Sequence, residues 1–154
     1  MCAAEGSPRR QGLRLCLVVS RFNEPVTRRL EDGARRCLEA AGVQPADIDV
    51  LHVPGAWELP RGVRMALEHA DYDGILALGC VIRGETPHFE YVSMGATVGL
   101  EALARESAVP VGFGLLTTDD GDQALARAGG EKGDKGEEAA LAVLEMCDLA
   151  VRLR

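Results

Sequence analysis

Residues 80–92, CVIRGETPHFEYV, concentrate groups that a polar reaction can use. Within residues 83–90 stand two cationic or protonatable side chains, Arg83 and His88, and two carboxylates, Glu85 and Glu90. Thr86 adds a hydroxyl, and Gly84 and Pro87 shape the turn. Gly84 lets the backbone come close to a ligand. The N–H groups of Glu85 and Thr86, with the Thr86 hydroxyl, lie just ahead of a helical pattern, where they can cradle a phosphate. An anion held there requires the Glu85 side chain to point away. Imidazole exchanges protons near neutral pH, which makes His88 a candidate for proton transfer. A lone histidine at a helix start is nevertheless more often structural.

These groups matter only if the chain holds them at one place. From Leu13 onward, apolar runs alternate with helical spacing. LRLCLVVS (13–20) reads as a strand. It is followed by a helix with Val26, Leu30, Ala34 and Leu38 on one face, Asn23 as candidate cap, Pro25 in the first turn and Gly42 at the stop. DIDVLHV (47–53) is a second strand, and the next helix shows Leu59, Val63, Ala66 and Ala70, with Pro60 confined to its first turn. YDGILALGCVI (72–82) is apolar throughout and so expected to be buried on both faces. A helix through Val92, Ala96, Gly99 and Leu103 leads to VPVGFGLLTT (109–118). A shorter helix around 120–129, a glycine-rich turn and a last helix through Ala140, Leu144, Cys147 and Val151 complete the chain.

Four strand–helix alternations with right-handed crossovers predict a single-domain three-layer α/β/α sandwich around a four-stranded parallel sheet, flavodoxin-like. Such sheets bind ligands beyond the carboxyl ends of their strands. Each end carries something. After the first strand, Phe22 is either a ring tucked under the loop or a stacking platform for a flat ligand. After the second, Pro54-Gly55 marks a turn into a helix start with free N–H groups. Ala56, Trp57 and Glu58 follow it, with Trp57 readable as core and Glu58 as a first-turn carboxylate favoured by the dipole. The third end is the stretch above. At the fourth, two glycines flank Phe113, so another surface can approach closely. Three of the chain's six aromatic side chains thus fall in or beside these ends. Arg127 and Lys135 are solvated surface cations by default. An acidic protein that binds a phosphate ester needs a local cation, and the guanidinium of Arg127 suits a forked contact better.

The 154 residues suit one domain, expected here as 13–154 behind a flexible arm at 1–12. A net charge of −7 argues against nucleic acid and anionic membrane as partners. The five cysteines are scattered, with no CxxC pair. Cys16, Cys37 and Cys147 fall within apolar patterns and read as buried thiols rather than a metal site or disulfide framework, which points to a reducing, cytoplasmic compartment. No apolar run is long enough for a membrane span, and the first twelve residues lack the apolar core of a signal peptide.

SRFNEPV after the first strand lacks the glycine and clustered hydroxyls of a flavodoxin phosphate loop. Arg21 and Cys80 stand where a phosphoacceptor domain needs carboxylates, and neither GxGxxG nor GxxxxGK[ST] follows the first strand. What remains is the joint occurrence, in order, of RFN, VPGAWELP, LGCVIRGETPHFEYV, GLLTTD and RAGGEKGDKGEEAA. In these motifs the chain, from about Leu13 to Leu149, resembles the 6,7-dimethyl-8-ribityllumazine synthase family of riboflavin synthesis. Trp57 departs from a more usual phenylalanine, and Cys80 and Pro87 from more usual threonines. None of these changes removes a group that the reaction needs.

The resemblance implies condensation of 5-amino-6-(D-ribitylamino)uracil with 3,4-dihydroxy-2-butanone 4-phosphate, without metal or organic cofactor. It implies that Phe22 stacks on the pyrimidine, that Ala56, Trp57 and Glu58 line the ribityl chain, and that Val81 and Ile82 offer backbone contacts. Glu85 and Thr86 would bind phosphate, with Arg127 as its cation, and His88 would transfer protons. Phe113, Arg127 and Lys135 would come from a neighbouring subunit of a homo-pentamer. The GGEKGDKG turn looks like that of members that pack twelve pentamers into a 60-subunit icosahedral shell. Enclosure of riboflavin synthase as a partner stays open. Rival readings are an archaeal-type riboflavin synthase, which consumes lumazine and needs no phosphate cradle, and a non-catalytic shell or flavin-binding module.

Overall fold

The runs LCLVVS and GILALGCVI have almost no polar side chain to offer water, and both become central strands. A computed structural model of the protein describes residue 10 and residues 12–153. Its main sheet holds β1 (Leu15–Ser20), β2 (Ile48–Val53), β3 (Gly74–Ile82) and β4 (Val111–Thr118), all parallel, in the order β2-β1-β3-β4. Every residue of β1 is buried, as are the first seven of β3. The edge strand β2 buries only Ile48 outright. Central parallel strands are covered on both faces, and edge strands are not.

Two helices cover each face. On one side α1 (Glu24–Ala40) and α5 (Lys135–Arg152) pack over Leu15, Leu17, Val19, Leu76 and Leu78. On the other, α2 (Leu59–His69) and α3 (His88–Glu106) pack over Cys16, Val18, Ile75 and Ala77. The strand residues divide by parity between the two cores, as the period of two demands. This is the expected three-layer sandwich, and the strand order matches the flavodoxin-like order, in which the chain switches direction between β1 and β3.

Local rules set the helix ends. The amphipathic face of α1 buries Val26, Leu30, Ala34 and Leu38 together. It stops in a Schellman motif: Gly42 N–H bonds Glu39 C=O at 3.0 Å, Val43 N–H bonds Leu38 C=O at 3.1 Å, and Gly42 takes φ +99°. Pro60 falls in the first turn of α2, where a missing N–H costs nothing. In α5, Val151 in the last turn is exposed, unlike Ala140, Leu144 and Cys147, so the expected apolar stripe is buried only as far as Cys147.

One region differs from the expected pattern. The short helix α4 ends at Ala126 (Gly121–Ala126), and β5 (Ala128–Gly130) pairs antiparallel with β6 (Gly133–Asp134). Gly129 and Gly133 turn this hairpin with φ of +84° and +88°. Asp134 then caps α5, accepting from Gly136 N–H at 2.9 Å and Glu137 N–H at 3.2 Å.

The expected N-terminal arm falls almost wholly outside the described residues. Arg10, near its end, is buried and places Nη2 2.7 Å from Asp148. Cys16, Cys37, Cys80 and Cys147 are buried and take part in no disulfide; Cys2 lies outside the described residues. No described helix is long and apolar enough to cross a membrane.

Candidate functional site

The strand β3 runs past its neighbour β1: their pairing stops at Val19 opposite Leu78, while β3 continues along β4 to Ile82. The last residues of β3 therefore have an open flank at the point where the chain switches direction, the usual ligand crevice of such folds. The segments after β1, β2 and β3 surround that flank and leave a cleft of about 340 Å³. Its walls include Phe22, Ala56, Trp57, Val81, Ile82, Thr86 and His88. The volume lies at the small end for a ligand pocket.

Phe22 is 72 % exposed and Trp57 61 %. The Phe22 ring at the cleft mouth is free to stack on a planar molecule, while Trp57 rests one edge of its indole on α3 and leaves the rest in water, so the tucked-ring reading of Phe22 and the core reading of Trp57 do not describe the single chain. Ala56 is buried at the floor. Glu58 is half-buried and folds back, its Oε2 accepting from Gly55 N–H at 2.9 Å. This bond fixes the turn that presents Ala56 and Trp57.

Backbone alternation decides what β3 shows to the cleft. The N–H groups of Ile75 and Arg83 both bond toward β4, at 2.9 Å from Pro110 O and 2.8 Å from Thr118 O. Even-numbered residues therefore turn their amides the other way. The carbonyl of Cys80 is taken by Asn23 Nδ2 at 2.9 Å. The backbone of Ile82 faces the open flank, and Val81 lends its side chain.

The 84–88 turn has the features of an anion cradle. Among the described residues, the N–H groups of Gly84, Glu85 and Thr86 have no protein acceptor. They lie at the N-terminus of a 19-residue helix, where the dipole favours negative charge. Thr86 Oγ1 sits 3.5 Å from the His88 N–H. Glu85 is exposed and does not line the cleft, as an anion at this place requires. His88 opens α3 with its ring exposed on the cleft wall.

Phe113, Arg127 and Lys135 are not brought to this cleft. Phe113 and Lys135 line a separate recess of about 500 Å³ beside β4. The β5–β6 hairpin places Arg127 and Lys135 side by side, with Lys135 N–H on Arg127 O at 2.9 Å. The Arg127 guanidinium bonds Gln123 O at 3.0 Å, and Lys135 Nζ lies 2.5 Å from Glu138 Oε2. The chain thus carries two groups of candidate residues at separate places on its surface.

Two contributors escaped the sequence. Asn23 holds a left-handed φ of +63°, and its side chain reaches β3 instead of capping α1. The signal was present, since asparagine tolerates that conformation better than other side chains. Arg83 lies at the join of three segments: Nη1 meets Glu90 at 2.7 Å, Nε meets Asp119 at 3.0 Å, and the guanidinium lies 4.4 Å from the Phe89 ring centre. It ties the first turn of α3 to the end of β4. Only the fold reveals that, because Asp119 is far away in sequence.

The family model described as 6,7-dimethyl-8-ribityllumazine synthase matches residues 12–150. Relatives carrying that name include one from Gemmatimonas aurantiaca, 53 % identical over 149 residues, covering 97 % of this chain and 91 % of that one. Another, from Salinibacter ruber, is 49 % identical over 142 residues, covering 92 % and 91 %. A third, from Chlorobaculum tepidum, is 45 % identical over 149 residues, covering 97 % and 96 %. With a family model spanning nearly its full length, the chain belongs to the 6,7-dimethyl-8-ribityllumazine synthase family.

Proposed function

We infer that this protein is a transferase of riboflavin biosynthesis that condenses 5-amino-6-(D-ribitylamino)uracil with 3,4-dihydroxy-2-butanone 4-phosphate. One observation carries the reading: a stacking ring, a helix-N-terminal anion cradle and an exposed imidazole border a single cleft in a chain of this family. The uracil amine attacks the ketone and loses water to form an imine. Phosphate then leaves, and ring closure with loss of a second water completes the lumazine. Both reactants are intrinsically reactive, so holding them face to face supplies most of the acceleration.

Each residue has a role in this scheme. Phe22 stacks on the pyrimidine, while Val81 and Ile82 contact its edge. Ala56, Trp57 and Glu58 receive the ribityl chain. Glu85 and Thr86 hold the phosphate through the cradle, and His88 moves protons in the imine and elimination steps. Phe113, Arg127 and Lys135 complete the pocket of an adjoining copy, with Arg127 as the phosphate cation. Their distance from the cleft in the single chain supports that division. So does the apolar surface that a lone chain leaves in water: Tyr91 at 72 %, Met94 at 63 %, Val98 at 57 % and Phe113 at 50 % exposure.

The resemblance to the family, rather than this surface, makes the working assembly a homo-pentamer with twelve pentamers forming a shell, and the scattered cysteines support a cytoplasmic location. Incubation with both substrates tests the function: lumazine absorbance should rise with stoichiometric phosphate release, and lumazine alone should not be consumed. Turnover of lumazine alone would favour the riboflavin synthase reading instead. Sedimentation tests the assembly, and a particle of one pentamer's mass would remove the shell.

A further inference from the structure

Helix α3 carries His88, Val92, Gly95 and Gly99 at spacings that place them along one face. His88 and Val92 line the cleft. The two glycines are unexpected, because a glycine inside a helix weakens it relative to alanine. Their surroundings supply the reason. A Cβ on Gly95 would lie 2.3 Å from Trp57 Cζ3, 3.1 Å from Cε3 and 3.2 Å from Cη2. A Cβ on Gly99 would lie 2.8 Å from both Cβ and Cγ of Pro60. The helix is planed flat where the 55–60 segment crosses it, and the benzo half of the indole rests in the space the Gly95 side chain leaves empty.

That segment presents Ala56 and Trp57 to the cleft and is otherwise held by the Glu58–Gly55 bond and by Leu59 in the core. We propose that Gly95 is a positioning residue for the ribityl subsite: by lacking a side chain, it seats the Trp57 ring and so sets where the 56–58 backbone meets the sugar chain. This deepens the functional reading above and rests on Trp57 lining that subsite. The same helix face runs down to His88, so the seat fixes the sugar-binding segment relative to the proton-transfer group and the phosphate cradle.

The test uses Gly95→Ala, Trp57→Phe, Trp57→Ala and the double variant Gly95→Ala/Trp57→Phe in the assembled protein. Helix propensity alone makes Gly95→Ala more stable, so weakened binding would not follow from a weakened helix. Misplacement by about 1 Å can cost on the order of 10²-fold. Gly95→Ala should therefore raise KM for the ribitylaminouracil by about 10- to 100-fold, with a much smaller change in KM for the butanone phosphate. A phenyl ring lacks the benzo atoms that meet the new Cβ, so the double variant should return to the KM of Trp57→Phe alone. Trp57 is the only tryptophan, so its emission should shift in Gly95→Ala as the ring is displaced. If Gly95→Ala fails to fold, recovery of both fold and KM in the double variant still supports the seat. An unchanged KM in Gly95→Ala, or a double variant no better than Gly95→Ala, overturns it. A large KM effect of Trp57→Ala beside a silent Gly95→Ala sinks this inference alone. A silent Trp57→Ala removes Trp57 from the subsite, and the seat with it.

Discussion

At the scale of single residues, the site divides into groups that bind and one that exchanges protons, and kinetics separates them. General acid–base help is typically about 10²- to 10⁴-fold. Since positioning does most of the work here, His88→Ala should reduce kcat by about 10²-fold or less, measured from lumazine absorbance at saturating substrates. A loss beyond about 10⁴-fold would make the imidazole indispensable and contradict this division. Arg127 should behave differently. A hydrogen bond to a charged group is worth roughly 1.5–3 kcal/mol, so Arg127→Ala should raise KM for the phosphorylated ketone about ten- to a hundredfold with little change for the uracil. An unchanged constant would mean that the cradle holds phosphate without it. Residue chemistry of this kind was legible in the sequence, because Gly84, Thr86 and His88 adjoin in the chain and a strand end precedes them. Asn23 was legible only in part: asparagine is a favoured occupant of a left-handed φ, here +63°, but its bond to Cys80 O is a contact between the β1 and β3 ends that local pattern cannot encode.

At the scale of elements, the junction of α1 and α5 controls the arm bearing Arg127 and Lys135. The two helices touch backbone to backbone. A Cβ on Gly136 would lie 2.0 Å from Leu30 O, and one on Gly33 would lie 2.1 Å from Asp134 Oδ2. Asp134 is thus sealed between the helices, where burial raises its pKa above the ordinary carboxylate value, opposed by the bonds it accepts from Glu137 and Gly136 N–H and by the charge of Arg36. Helix propensity alone predicts that Gly136→Ala stabilises the protein by about 1 kcal/mol. Leu30 O is backbone and cannot step aside, so the opposite sign is expected: a destabilisation of about 1–3 kcal/mol, the usual range for overpacking. Urea unfolding at fixed protein concentration checks the sign, and a raised midpoint would show that the helices can part without loss. The strands and long helices around this junction were readable because apolar periods of two and of 3.6 persist over many residues. The β5–β6 hairpin was not, since three residues facing two, built mostly of glycine, carry no period at all. The placement of Phe113, Arg127 and Lys135 away from the Phe22 cleft followed from family resemblance rather than from spacing.

At the scale of the whole molecule, the sheet's two faces each bury ionisable groups that have no role in the chemistry proposed, and these tie stability to pH. Burial pushes the thiols of Cys16, Cys80 and Cys147 up to about 11 from 9.0. Burial also raises Tyr72, reinforced by its hydrogen bond to Asp49 at 2.7 Å. In the unfolded chain the thiols lose their protons from about pH 9, whereas in the folded protein they keep them until about pH 11. Across that window the unfolded state binds fewer protons, so stability must fall as pH rises. Each unit of displacement corresponds to 1.36 kcal/mol, which gives a loss on the order of 1–3 kcal/mol per thiol by the upper end of the window. Below pH 9 these groups contribute no slope. Urea midpoints in reductant at pH 8, 9.5 and 11, at constant protein concentration, should therefore be level at first and then decline. Cys147→Ala should shallow the decline, because it removes one titrating thiol and leaves the two in the other parts of the core. A midpoint that stays level to pH 11, or a decline identical in Cys147→Ala, would mean that these thiols ionise as freely in the folded protein as in the unfolded chain, and that the cores around them admit water.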